Sequence, residues 1–182
     1  MMGFFARALC CLALPALAGC VSAAVEGANM ARDEVVYDDY IAAAEAGDAE
    51  AQYRVGEALC CSLGDREGIY DTRQSVEWLC RAAEQGYAPA SLKLGRIYSG
   101  SVVKGVRLLR RAAEGVSGRP ENLALSYAWL NRAAAQGSED AEADARSLWP
   151  ELDEAEKTRA QALTTGGQTL PCRWDEVFPG QA

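Results

Sequence analysis

The chain has 182 residues, with 18 Lys and Arg against 26 Asp and Glu, a formal net charge of −8 and no histidine. So acidic a chain disfavours nucleic acid and anionic lipid headgroups as partners, because both repel it. The missing histidine removes Ser-His and Cys-His nucleophile pairs and histidine metal sites, while 49% apolar residues suffice to bury one compact core or a short repeat array.

In chain order, the first segment does not read as part of the fold. Arg7 precedes the apolar run ALCCLALPALA, which is too short to cross a bilayer and has the length of a signal-peptide core, so export is expected. Two cleavage readings compete. Ala16, Leu17 and Ala18 form an A-x-A site that would release a soluble periplasmic protein from Gly19. Leu17 to Cys20, L-A-G-C, resembles the lipobox of bacterial lipoproteins, and this is the favoured reading: residues 1–19 are a lipoprotein signal peptide and Cys20 is the lipidated residue. The resemblance implies a diacylglyceryl group on the Cys20 thiol and an acylated amine, an anchor of more than one chain and therefore a stable one. Val21, where an aspartate would favour the inner membrane, leans toward the outer membrane, facing the periplasm.

Residues 20–36 lack sustained periodicity and are read as a lipid-anchored flexible tether. From residue 37 to 163 the composition shifts to alanine-rich segments with apolar residues three and four apart, punctuated by glycine. That pattern predicts consecutive amphipathic helices and an all-α fold.

The helical phrases repeat. Residues 77–86 read EWLCRAAEQG, residues 128–137 read AWLNRAAAQG, and RRAAEG stands at 110–115. DAEAQYRVGEAL at 48–59 aligns with YAPASLKLGRIY at 87–98, each following an A-A-x-x-G. The order A-x-x-x-L-G-x-x-Y, loop, A-x-x-W-x-x-x-A-A-x-x-G resembles the Sel-one-like repeat, a tetratricopeptide relative built as an antiparallel helix pair. Ala51, Gly56, Trp78, Ala82, Ala83 and Gly86 carry the first copy. Ala90, Leu94, Gly95, Tyr98, Trp129, Ala133, Ala134 and Gly137 carry the second. The resemblance covers about residues 40–148 and implies a short α-solenoid. Each residue type has a physical reason to stand where it does. Glycine and alanine let helices approach closely, tryptophan covers the neighbouring helix, and the glycine after each alanine pair ends its helix in the left-handed conformation.

The second copy carries an insertion near 101–120, whose VKGVRLLRRAAE reads as an extra half-repeat with Leu108 in the tryptophan place. Ser138 is a predicted N-cap, and Pro150 is predicted to open a polar closing helix through Leu163 that caps the array. Residues 164–182 are irregular but hold Cys172, Trp174 and Phe178, so part of this tail is expected to pack back.

Four cysteines follow Cys20: Cys60, Cys61, Cys80 and Cys172. An even set in an oxidising compartment reads as two disulfides with three possible connectivities. Cysteine-rich members of the repeat family staple their helix pairs similarly. The favoured connectivity joins one of Cys60 and Cys61 to Cys80 and the other to Cys172, since adjacent cysteines about 100° apart on a helix face different partners. The spacings fit no zinc pattern, so neither metal nor cofactor is expected.

Two weaker motifs could be catalytic. Ser101 to Lys104 spell S-x-x-K, the phrase of penicillin-binding proteins, but no S-D-N or K-T-G accompanies it. ELDEAE at 151–156 reads as a solvated helix face. What the resemblance implies is a non-enzymatic protein-interaction scaffold or adaptor in the bacterial envelope, bound to another envelope protein and to the membrane through Cys20. A ligand- or peptidoglycan-associated lipoprotein is the alternative and a serine-lysine hydrolase a remote one. Candidate partner-binding positions are Gln52, Arg54, Lys93 and Arg96 on first helices, with Tyr127 and Asn131 on a second helix.

Overall fold

The computed structural model describes residues 28–61, 68–100, 121–166 and 169–180, and all regular structure among them is helical. In order these are α1 (28–45), α2 (Ala49–Leu59), α3 (Thr72–Glu84), α4 (Ala88–Tyr98), α5 (Leu123–Ala135), α6 (Glu139–Leu148), a 3₁₀ turn (Trp149–Glu151), α7 (Glu154–Thr165) and the short α8 (Trp174–Val177). The expected fold class is borne out: the helices form antiparallel pairs stacked into a short α-solenoid.

One turn is used three times. After α1, α3 and α5 the chain reverses at Gly47, Gly86 and Gly137, whose φ values of 100°, 84° and 93° lie in the left-handed region open to glycine. Each glycine N–H donates three residues back, to Ala44, Ala83 or Ala134, at 2.9–3.1 Å. The next N–H, of Asp48, Tyr87 or Ser138, donates five residues back to Ala43, Ala82 or Ala133 at 3.0–3.1 Å. These paired bonds satisfy carbonyls that the helix end would leave open, and they launch the next helix antiparallel. Asp48 and Ser138 then cap α2 and α6 by accepting from Ala51 and Ala141.

The pairs α2/α3 and α4/α5 share a steric interlock. A methyl on Gly56 would lie 2.8 Å from Leu79 Cγ, and one on Gly95 would lie 2.7 Å from Leu130 Cγ, so only glycine lets the helices approach this closely. At the same crossings the Ser75 hydroxyl donates to the Gly56 carbonyl at 2.6 Å and the Ser126 hydroxyl to the Gly95 carbonyl at 2.7 Å. Both serines are fully buried, so these bonds are needed to avoid a desolvation cost of about 1–3 kcal/mol each. Around the crossings Ala51, Ala82, Ala83, Ala90, Leu94, Tyr98, Trp129 and Ala133 are buried, Ala134 and Trp78 are half-buried, and Gly86 and Gly137 stand exposed at the turns.

Three readings need correction. Residues 28–36, expected as tether, are the first half of α1, held by buried Asp33, which accepts from the Tyr70 hydroxyl at 2.9 Å. Pro150 does not open the closing helix: it lies in the 3₁₀ turn, and α7 begins at Glu154, where Asp153 and Glu156 form a reciprocal capping box. The cysteine pairing also differs. Cys80 joins Cys172 with Cα atoms 5.9 Å apart, and Cys60 joins Cys61. The reason lies in where α2 stops: it ends at Leu59 and Cys60 is its extended C-cap, so the two cysteines do not project from a helix in different directions.

At the far end α7 lays the buried Ala160 against α5 and leaves most of its surface in water. Residues 169–180 run back over the array, burying Leu170, Cys172 and Phe178 in the core cluster that holds Leu79, Leu94, Tyr98 and Trp129. The leader, Cys20 and the 101–120 insertion lie outside the described residues.

Candidate partner-binding face

The first helices α2, α4 and α6 bring their polar residues together into one continuous face. On α2, Arg54 pairs with Glu50 at 3.3 Å, and the Tyr53 hydroxyl donates to Glu57 at 3.1 Å. Glu57 reaches across to Lys93 on α4 at 3.5 Å, and the Tyr53 and Tyr87 rings meet with centroids 5.5 Å apart. Arg96, on the last turn of α4, bridges to α6 through Asp144 at 2.6 Å and Asp140 at 3.9 Å. Opposite charges therefore alternate along the stack, with a tyrosine pair set among them. The solvent-exposed pairs among these contribute about 0–1 kcal/mol each, so the ladder orders the face more than it stabilises the fold.

The tyrosines of this face are neutral phenols at physiological pH, and their surroundings move them further from ionisation. Burial, reinforced by the Glu57 carboxylate, pushes the Tyr53 phenol above its ordinary value of 10.0, and burial does the same for Tyr87. The Glu50 hydrogen bond raises Arg54, whose Nε is buried with no hydrogen-bond partner among the described residues. Both phenols thus present rings with a polar tip, the amphipathic surface favoured in protein contacts.

The predicted partner-binding positions divide. Arg54, Lys93 and Arg96 are on the face. Gln52 is corrected: it is buried, donating to the Ala44 carbonyl at 3.2 Å and accepting from Gln85 at 2.8 Å, so it joins α1, α2 and α3. Tyr127 and Asn131 belong elsewhere, the Tyr127 ring packing tilted against Trp149 with centroids 4.7 Å apart and Asn131 donating to the Tyr127 carbonyl at 2.8 Å. Sequence reasoning passes over Tyr53 and Tyr87: one lies within α2 and the other is the N-cap of α4, at two different turns, and only the stacking of the first helices brings their rings together.

The catalytic motifs gain nothing. Ser101 to Lys104 lie outside the described residues, and in 151–156 Asp153 and Glu156 cap α7 while Glu154 pairs with Lys157 at 2.8 Å. Among the described residues no group of three acidic or cysteine side chains is placed to hold a metal ion, and no helix is long and apolar enough to cross a membrane.

Antiparallel helix pairs with a common turn, a common glycine crossing and one continuous first-helix face define a helical-repeat solenoid. Residues 49–87, 88–117 and 114–138 each match the Sel1 repeat: the chain carries three Sel1 repeats and is a Sel1-like repeat protein. The second match takes in the RRAAEG phrase, whereas the crossing seen in the structure pairs α4 with α5. No curated protein gives a match to the sequence. Sel1 repeats are typical of protein-interaction scaffolds.

Proposed function

We propose that this protein is a non-enzymatic adaptor of the bacterial envelope, anchored by lipid on Cys20, facing the periplasm from the outer membrane and binding another envelope protein through the α2–α4–α6 face. The observation that carries the reading is that face: a tyrosine pair set in an alternating ladder of charges, presented by α2 and α4 of the Sel1 repeats and by α6, which follows them. Alternating charge selects a partner by complementarity, and the tyrosines supply apolar area at little entropic cost. L-A-G-C at 17–20 is the support for the anchor. Cross-linking in intact Gram-negative cells, with wild type compared to Cys20→Ala, tests both parts. The expected result is an envelope protein captured by wild type and lost with the anchor. Equal capture by both forms contradicts the anchor, and no capture by folded protein contradicts the adaptor role.

A second reading has one observation behind it. A cleft of about 390 Å³ near the N-terminal end is lined by Glu34, Tyr37, Asp38, Leu59, Ile69 and Gln74, a size suited to a small ligand. This would make the protein a ligand-associated lipoprotein, and a Tyr37→Ala change would then abolish its binding of that ligand in calorimetry.

A further inference from the structure

Residues 169–178 contact the array as a ligand would. The segment before α8 is not helical, and Arg173 is extended at φ −72° and ψ 144°. Its amides are satisfied from within, since Glu176 accepts from the N–H of Cys172 at 3.1 Å and of Arg173 at 3.4 Å. Its carbonyls are satisfied from outside. Trp129 Nε1 donates to the Pro171 carbonyl at 3.1 Å, and the Tyr98 hydroxyl donates to the Cys172 carbonyl. Two consecutive carbonyls are thus read by side chains of α5 and α4, a mode of recognition indifferent to the side chains that those two residues carry.

Apolar anchors flank these bonds. Leu170 and Phe178 are buried, and Phe178 lies 6.1 Å from the Tyr98 ring and 4.8 Å from Trp174. Arg73 on α3 closes the rim by pairing with Asp175 at 2.6 Å, and Cys80 on α3 holds Cys172 covalently. The glycine and serine crossings of α2/α3 and α4/α5 involve no residue of this segment. The crossings are therefore made without the segment, which adds Leu170, Cys172 and Phe178 to the cluster that holds Leu79, Leu94, Tyr98 and Trp129.

We propose that the surface formed by α3, α5 and the end of α4 is a second peptide-binding site, distinct from the first-helix face. It takes a segment that is extended through two carbonyls and then makes one helical turn, with an apolar anchor on either side. The chain's own residues 169–178 fill it in cis, and the Cys80–Cys172 disulfide keeps them there. A tethered segment competes at an effective concentration in the millimolar range, so a peptide in trans gains entry once the tether is cut and the disulfide reduced.

The test uses the full chain with a specific protease site inserted after Gly166. Cleavage alone leaves the tail attached through sulfur. Adding a dithiol then passes two electrons and two protons to each disulfide, Cys80–Cys172 and Cys60–Cys61, giving two thiols per bond as one reagent molecule per bond closes into its own cyclic disulfide; a Cys60→Ser/Cys61→Ser background confines the reduction to the tail's bond. A fluorescein-labelled peptide of residues 169–178 carrying Cys172→Ser is titrated in, with anisotropy read before and after reduction. Saturable binding is expected only after cleavage and reduction, weakened about fivefold by Tyr98→Phe, the loss of one hydrogen bond. Absence of binding to a core that keeps its helical circular dichroism overturns the proposal. So does loss of helicity on tail release, which would make the segment part of the fold, and so does binding that Tyr98→Phe leaves unchanged.

Discussion

The two helix hairpins α2/α3 and α4/α5 are built on the same crossing yet finished differently. Gly56, Ser75 and Leu79 in the first correspond to Gly95, Ser126 and Leu130 in the second, with near-identical distances. Above that crossing they diverge. Trp78 is half-buried with Arg81 4.4 Å over its ring, whereas Trp129 is 1% exposed, with Arg132 at 5.2 Å and the tail bonded to its indole. At the turns Gln85 donates to Gln52 and to the Gly47 carbonyl, but at the equivalent places Ser91 Oγ and Gln136 Oε1 are buried with no partner among the described residues. The backbone crossing sets the repeat; what covers it is local to each copy.

The largest expected effect separates the tryptophans. Trp129→Ala should cost about 3–5 kcal/mol, because it empties a closed site and removes the indole's bond to the tail. Trp78→Ala should cost clearly less, since water already reaches its ring; urea denaturation of the two variants measures the gap. The glycines should show no such gap. Gly56→Ala and Gly95→Ala should each lose about 1–3 kcal/mol by overpacking, despite alanine's better helix propensity, and a difference larger than about 1 kcal/mol between them would break the equivalence of the crossings. The smallest contrast is at the turns. Gln52→Ala should cost about 1 kcal/mol through lost hydrogen bonds, while Ser91→Ala should be neutral or stabilising because it removes an unpaired buried hydroxyl. Thermal melts of the pair resolve the sign.

Much of this was legible in the sequence where sterics dictate residue type. Gly56, Gly95 and the alanines could be placed because few residues fit a close helix crossing, and Gly47, Gly86 and Gly137 because a left-handed turn selects glycine. Polar positions were less legible. Ser75 and Ser126 stand three residues before each tryptophan, but a serine on a helix reads as solvated unless its buried acceptor is known. Gln52 misled for the same reason: the three-residue connection to α1 turns it inward, next to Gln85. The cysteine pairing required knowing that α2 ends at Leu59, where neither glycine nor proline marks the stop. The tail carries no period, and its bonds run from distant side chains to carbonyls, which no sequence pattern records.

The central claim is that the first-helix face receives the partner. It is tested most directly by repeating the cell-envelope capture with a Tyr53→Ser/Tyr87→Ser variant beside a Thr158→Ala control on exposed α7, Cys20 intact and helicity verified by circular dichroism. The account predicts that the tyrosine variant loses the captured envelope protein at least tenfold while the control retains it. Equal capture by both would contradict the account.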